Sequence, residues 1–258
     1  MGVAPLTMAV LATQEWGTPD GAPVLCLHGV TGHAGRYRRL AERLPGRRVV
    51  GIDLRGHGRS TWAAPWGIDA HVADLVETAE SLGVAGGAAW VGHSFGGRLV
   101  AELAAREPDR VERAVLLDPA LHVDPQVATE RAALLRDDVS FASPDEAIDT
   151  RLGDGSLFTT PRAILEEEAE QHLERGDEGR YRWRYSPTAV IVAWSEMSTE
   201  QPPWPRCPTL VVVGSQSWLP VRVPRLANLR SLPVPGGHSV LWDDFDATAA
   251  AVEEFLAR

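Results

Sequence analysis

Apolar runs alternate with helical patterns along most of this chain, and that rhythm predicts an α/β fold built on a mostly parallel, twisted sheet flanked by helices. Two further observations shape the expectation. The length, 258 residues, suits one large α/β domain with ample core. The rhythm also fails over residues 121–203, where helical patterns follow one another with no strand needed between them. The expected organisation is therefore a sheet-based core from 1–120 and 204–258, with 121–203 inserted as a helical cap or lid.

The elements follow in order. Pro23–Leu27 is a first buried strand ending in His28-Gly29, and Arg36–Leu44 has helical spacing. Arg48–Leu54 is the next strand. Asp69–Leu82 repeats apolar residues at helical intervals through Val72, Leu75, Val76, Ala79 and Leu82. Ala88–Val91 is a strand, and Gly97–Arg106 is a helix stopped near Pro108. Val111–Leu117 and Thr209–Val213 are two more strands. Leu229–Val234 is a last one, followed by Gly236-Gly237-His238 and a closing helix over Ala247–Leu256. Within the insertion, the Pro-initiated stretch Pro161–Arg175 and the apolar stretch Thr188–Met197 read as helices. The Pro-rich run Gln201–Pro208 returns the chain to the sheet. A helical insertion at the carboxyl ends of such strands reads as a lid over a site.

Composition narrows the function. A hydrophobic share of 44% and a charged share of 23% fit a globular protein. The net charge of −10 speaks against nucleic-acid binding, which needs a basic face. All 25 basic residues are Arg, so lysine-based chemistry such as Schiff-base formation is excluded. Cys26 and Cys207 sit in or beside apolar runs and suggest neither a disulfide scaffold nor a metal site. No stretch has the pattern of a signal peptide or the length of a membrane span. The expectation is a cytoplasmic protein without membrane or nucleic-acid partners, metal or organic cofactor. Its oligomeric state is not legible.

Residues 88–97, Ala-Ala-Trp-Val-Gly-His-Ser-Phe-Gly-Gly, carry the chemistry. A short strand runs into Gly92-x-Ser94-x-Gly96 and then a helix, the context in which this pattern forms a nucleophile elbow. Glycines are needed at 92 and 96 because the sharp turn leaves no room for side chains. The bend presents the Ser94 hydroxyl at a helix N-terminus, where developing negative charge is favoured.

Four segments taken together give the chain a family resemblance: Leu27-His28-Gly29-Val30, Asp53-Leu54-Arg55-Gly56-His57-Gly58-Arg59-Ser60, the Ser94 elbow, and Gly237-His238. In this order and spacing the chain resembles a serine-nucleophile member of the α/β-hydrolase superfamily with a helical cap, carboxylesterase-like, over nearly its whole length. A serine hydroxyl needs a positioned base. Of the eight histidines, His238 is the candidate, since it follows two glycines after the last strand, and the family's chain order of Ser, acid, His agrees. His57 reads as a loop-packing residue. His93, inside the elbow, is expected to point away from substrate.

An oxyanion hole needs backbone N–H groups aimed at the developing charge. Phe95, directly after the nucleophile, supplies one, and the resemblance implies Val30 for the other. The acid departs from the family pattern. Many relatives carry Gly-x-x-Asp after the strand that follows the cap, whereas this chain reads Gly214-Ser215-Gln216-Ser217, with Ser217 where the Asp would fall. Asp118, at the end of the strand Val111–Leu117, is the expected substitute, because some α/β-hydrolases place their acid there. Asp243 and Asp244 are rivals, close to His238 but placed to open the last helix.

The expected substrate pocket is apolar, with His28, Leu121, Trp194, Met197, Trp218 and Val240 in reach of Ser94. The basic-aromatic stretch Arg180–Tyr185 offers an anion-binding face, but in a chain of net charge −10 it reads rather as a structural cap segment that pairs with the acidic run Glu166–Glu170. The expected partner is a small-molecule ester. The expected reaction is hydrolysis of carboxylic esters of small to medium hydrophobic substrates through an acyl-enzyme. Lactonase, C–C bond hydrolase and perhydrolase activities share the fold and remain open. So does a different class, a low-turnover small-molecule binding or sensing protein.

Overall fold

The computed structural model describes residues 8–136 and 139–257. Its strands are β1 (Thr13–Gly17), β2 (Ala22–Leu27), β3 (Arg47–Ile52), β4 (Ala88–His93), β5 (Val111–Leu117), β6 (Leu173–Arg175), β7 (Tyr181–Trp183), β8 (Thr209–Gly214) and β9 (Leu229–Val234). The α-helices are α1 (Arg38–Glu42), α2 (Ile68–Ser81), α3 (Phe95–Arg106), α4 (Pro125–Ala133), α5 (Pro144–Gly153), α6 (Arg162–His172), α7 (Pro187–Met197), α8 (Val240–Asp243) and α9 (Phe245–Leu256).

Seven strands form one sheet in the order β1-β3-β2-β4-β5-β8-β9. All pairs are parallel except β1 with β3. Parallel strands are buried on both faces, so they read as continuous apolar runs. Their side chains still alternate. Leu25 and Leu27 of β2 join a core under α2 and α3, and Val24 and Cys26 join a second core under α1 and α9. Trp90 against Val91 in β4, and Leu116 against Val115 in β5, divide the same way.

The order also fixes where a site forms. From β2 the chain crosses to β3 on one side, then returns past β2 to lay down β4 on the other. The carboxyl ends of β2 and β4 therefore flank the crevice where strand order reverses, the usual ligand position in open α/β sheets. Leu27 pairs with Gly92 there, and His93 pairs with Leu117 of β5. Three of the four chemistry-bearing segments end within two neighbouring strand spacings.

Between β5 and β8 the chain forms α4 to α7. Asp124, Ser143 and Ser186 cap α4, α5 and α7 through side-chain oxygens, and each is followed by a Pro at the first helical position. Phe141, Ile148, Leu165 and Trp183 form a separate small core. Helix α7 does not belong to it: Val190, Ala193, Trp194 and Met197 pack into the core of the sheet. The expectation of a strand-free insertion is corrected by the antiparallel pair β6–β7. Its three-residue strands are too short for a period-2 signal, and the turn relies on Gly179 at φ +80°. Strand β1 is a second element that no apolar run marks. It is a half-exposed edge strand with little apolar content, so it lacks the run that marks the others. Among the described residues, no helix is long and apolar enough to cross a membrane.

Candidate active site

Strand β4 ends in a turn that only small residues permit. A Cβ added at Gly92 would lie 2.3 Å from the Gly96 carbonyl oxygen, and one at Gly96 would lie 2.2 Å from that of Leu27. Ser94 itself takes φ 53° and ψ −116°, a strained position for a residue with a side chain. It is held by its N–H to Leu117 O at 3.1 Å and by its carbonyl, which accepts from Arg98 and Ala120. The strain presents the hydroxyl at the start of α3.

Three side chains from three strand ends lie in one hydrogen-bonded line. His238 Nε2 is 2.9 Å from Ser94 Oγ, and His238 Nδ1 is 2.6 Å from Asp118 Oδ2. Asp118, fully buried and at φ 42°, also accepts from Gly214 N–H through Oδ1 at 3.0 Å and from Ser217 Oγ through Oδ2 at 2.5 Å. A carboxylate only accepts, so the His238 Nδ1–H donates to it and Nε2 is left to accept from the serine hydroxyl. The rivals are placed elsewhere. Asp244 caps α9 through Ala247 N–H, while Asp243 accepts from Thr160 Oγ1 and Gly237 N–H, fastening the loop that carries His238.

The loop after β2 passes directly against the elbow. A Cβ at Gly29 would lie 2.9 Å from Ser94 Cβ, so glycine is required there as well. Among the described residues the backbone N–H groups of Val30 and Phe95 have no acceptor. For Phe95 the reason is general, since the first N–H of a helix has no preceding carbonyl to bond.

A cavity of about 310 Å³ opens onto Ser94 and His238, lined by Val30, Trp194 and Trp218 among others. Four expected pocket residues do not line it. His28 is fully buried, with Nδ1 2.7 Å from Gly29 O and Nε2 accepting from Leu54 N–H, so both nitrogens serve the loop. Leu121, Met197 and Val240 are buried, the last two in the cores of the sheet. Apolar character marked all three for burial, and for Met197 and Val240 the sheet took that burial rather than the site.

His93 was expected to point away from substrate, yet it lines the cavity. Its Nε2–H donates to His238 O at 2.9 Å, and burial holds its pKa down at about 3, keeping it neutral beside His238. His57 packs within its loop, with Nδ1 3.1 Å from Arg55 O. The Arg180–Tyr185 stretch also differs from expectation. Trp183 and Tyr185 line the cavity, Arg184 pairs with Glu174, and Glu166 and Glu168 pair with Arg162 and Arg36. Arg36, Arg151 and Trp242, which no motif marked, also stand in the wall. Among the described residues, no three His, Cys, Asp or Glu side chains are grouped to hold a metal ion.

Residues 22–245 match the family model described as alpha/beta hydrolase fold. The lipase LipV of Mycobacterium tuberculosis is 39% identical, over 78% of this chain and 77% of its own. A non-heme chloroperoxidase of Streptomyces lividans is 40% identical over 40% of this chain and 39% of its own. Among solved structures, E-2-(acetamidomethylene)succinate hydrolase superposes with a TM-score of 0.83 at 24% identity, covering 96% of this chain and 95% of that one, which shows the shared fold.

Proposed function

We propose, from the premise that the chain belongs to the alpha/beta hydrolase fold family, that it is a serine hydrolase of carboxylic esters with small to medium hydrophobic groups. The observation that carries this reading is the run of hydrogen bonds from Ser94 Oγ through His238 to Asp118 at the mouth of a largely apolar cavity. His238 takes the Ser94 proton through Nε2 as Oγ attacks the ester carbonyl. Asp118 holds the ring in that tautomer and stabilises the imidazolium that forms. The Val30 and Phe95 N–H groups receive the oxyanion. The tetrahedral intermediate collapses, the alcohol leaves with the proton from His238, and an acyl-enzyme remains. Water, deprotonated by His238, then releases the acid and restores Ser94. The lipase relative supports this reading.

Hydrolysis of p-nitrophenyl butyrate tests it, together with covalent labelling by an organophosphonate. Ser94-dependent turnover and labelling are expected. Absence of both in the wild-type protein would leave a binding or sensing protein as the better reading. The chloroperoxidase relative favours one second reading, perhydrolysis, in which hydrogen peroxide replaces water at the acyl-enzyme. Comparing release of peracid and acid in the presence of peroxide separates the two.

A further inference from the structure

The cavity at Ser94 is apolar over most of its wall, yet three guanidinium groups line it, those of Arg36, Arg131 and Arg151. They do so in a chain whose net charge is −10. Among the described residues, two carboxylates answer them. Asp154 stands in the wall 4.0 Å from Arg131, and Glu168 lies behind Arg36 and Arg151. Glu168 is shared. Its Oε1 accepts from Arg36 Nε at 2.8 Å and also from Arg36 Nη2, and it stands 3.6 Å from Arg151 Nη1, while Oε2 faces His33 Nε2 at 3.0 Å. Arg151 Nη1 is buried and makes no hydrogen bond. One carboxylate thus serves two guanidiniums, and a positive charge is left over in a nearly dry wall, where it is costly. Burial, and next the nearness of Arg36, push the Arg151 guanidinium below its usual pKa; an arginine nonetheless stays charged near neutrality.

The excess charge sits beside the reacting centre. Arg151 Nη2 donates to Thr31 Oγ1 at 3.1 Å, and Arg36 Nη2 donates to Thr31 O at 3.2 Å. Thr31 follows Val30, and neighbouring Cα atoms are about 3.8 Å apart, so the pair lies within a short acyl chain of the oxyanion donor. Arg151 stacks on Trp183 at 4.8 Å and Arg36 on Trp242 at 4.4 Å, which fixes both groups against the wall.

We propose that the substrate is a hydrophobic ester carrying one carboxylate, and that Arg36 and Arg151 bind that carboxylate beside the oxyanion loop. The proposal rests on the ester-hydrolase reading and narrows its substrate class. A neutral ester leaves the excess cation unmatched, and a dianion adds a charge that an apolar cavity does not answer.

The test uses two esters of equal acyl length, mono-p-nitrophenyl glutarate and p-nitrophenyl valerate. The wild-type enzyme is expected to favour the anionic ester in kcat/KM by about tenfold or more, the scale of one charged hydrogen bond. Arg151→Met is expected to bring that ratio close to one, Arg151→Lys to keep part of it, and rising salt to erode it in the wild type. A ratio of one or less in the wild type, or equal losses on both esters in Arg151→Met, would overturn the proposal and leave Arg151 as a support for Thr31 only. A binding readout separates this outcome from failure of the hydrolase reading. In Ser94→Ala, monobutyl glutarate is expected to change the fluorescence of the cavity tryptophans saturably and in an Arg151-dependent way, and butyl methyl glutarate is not. That result without cleavage of either ester would sink the hydrolase reading and keep the anion site. Cleavage with no preference for charge would do the reverse.

Discussion

Ser217 Oγ donates to Asp118 Oδ2 at 2.5 Å, the same oxygen that faces His238 Nδ1 at 2.6 Å. Ser217 occupies the position where many family relatives carry the acid itself. Here the carboxylate beside His238 stands at the end of β5, and the hydroxyl of residue 217 donates to it. The two sites are close enough to exchange hydrogen bonds because β5 and β8 are neighbours in the sheet.

From this pairing follows a transfer of function. Asp118→Asn is expected to lower kcat by about a thousandfold or more, since an amide neither stabilises the imidazolium nor fixes its tautomer. Ser217→Ala removes one hydrogen bond to a charged group and is expected to cost roughly tenfold in kcat, with KM little changed. The double variant Asp118→Asn, Ser217→Asp returns a carboxylate to the usual position. Its kcat is expected to exceed that of Asp118→Asn alone by at least about tenfold. Steady-state kinetics on p-nitrophenyl butyrate decide this, and no gain in the double variant would show that residue 217 cannot present an acid to His238.

The elbow makes a prediction about stability. The Cβ of Gly96→Ala would meet backbone oxygens of Leu27 and His28 at 2.2 and 2.7 Å, and rigid backbone offers no cheap relief. A loss of about 3 kcal/mol or more is expected, at the upper end of overpacking costs. Ser94→Ala adds no atom and is expected to unfold within about 1 kcal/mol of the wild type. Urea denaturation of the two variants provides the comparison.

Arg55 and Asp74 form a buried bidentate pair, with Nε and Nη2 each 2.6 Å from a carboxylate oxygen. The pair ties the loop after β3 to α2, and Asp74 Oδ1 also accepts from Ala9 N–H. Asp74→Ala leaves a guanidinium without its carboxylate in the interior, so a loss of about 3–5 kcal/mol is expected. A shift below about 1 kcal/mol in the urea midpoint analysis would show that the loop relaxes to water instead.

Acid is expected to destabilise the fold below about pH 6.5. Burial holds His57 at about 4 and His71 and His93 at about 3, and it also lowers His28 and His172. Below the ordinary imidazole pKa the unfolded chain takes up protons that the folded chain refuses. It therefore binds more protons, and stability falls as pH falls, by up to about 1.4 kcal/mol per pH unit for each such histidine. The stabilising contribution is complete above that range and is lost progressively toward pH 4 and 3. Denaturant titrations at about pH 7, 6 and 5, spanning the ordinary imidazole pKa, check the sign. Constant stability across them would contradict neutral buried imidazoles.

Much of this protein is legible in its residues because the relevant physics is local. Continuous apolar runs such as Leu210–Val213 report strands buried on both faces. The glycines around Ser94 report a turn too tight for side chains, and Asp118 ends a strand that the elbow strand must neighbour. Where the signal was short or polar it failed, as in β1 and the β6–β7 pair. Apolar character alone also misplaced Leu121, Met197 and Val240, because it specifies burial but not which surface is buried.

What the sequence determined by itself is the parallel part of the sheet, the elbow and the pairing of Ser94 with His238 as candidates, with Asp118 named ahead of its rivals Asp243 and Asp244. Only the tertiary structure decided what surrounds them. Ser217 and Asp118 are 99 residues apart, and Arg36 and Glu168 are 132 apart. No local pattern reports such pairs, since they exist only once strand order and helix packing have brought distant segments together. The charge of the cavity wall is of that kind: an acidic chain folds so that two arginines in the wall of the cavity that opens onto Ser94 share one glutamate.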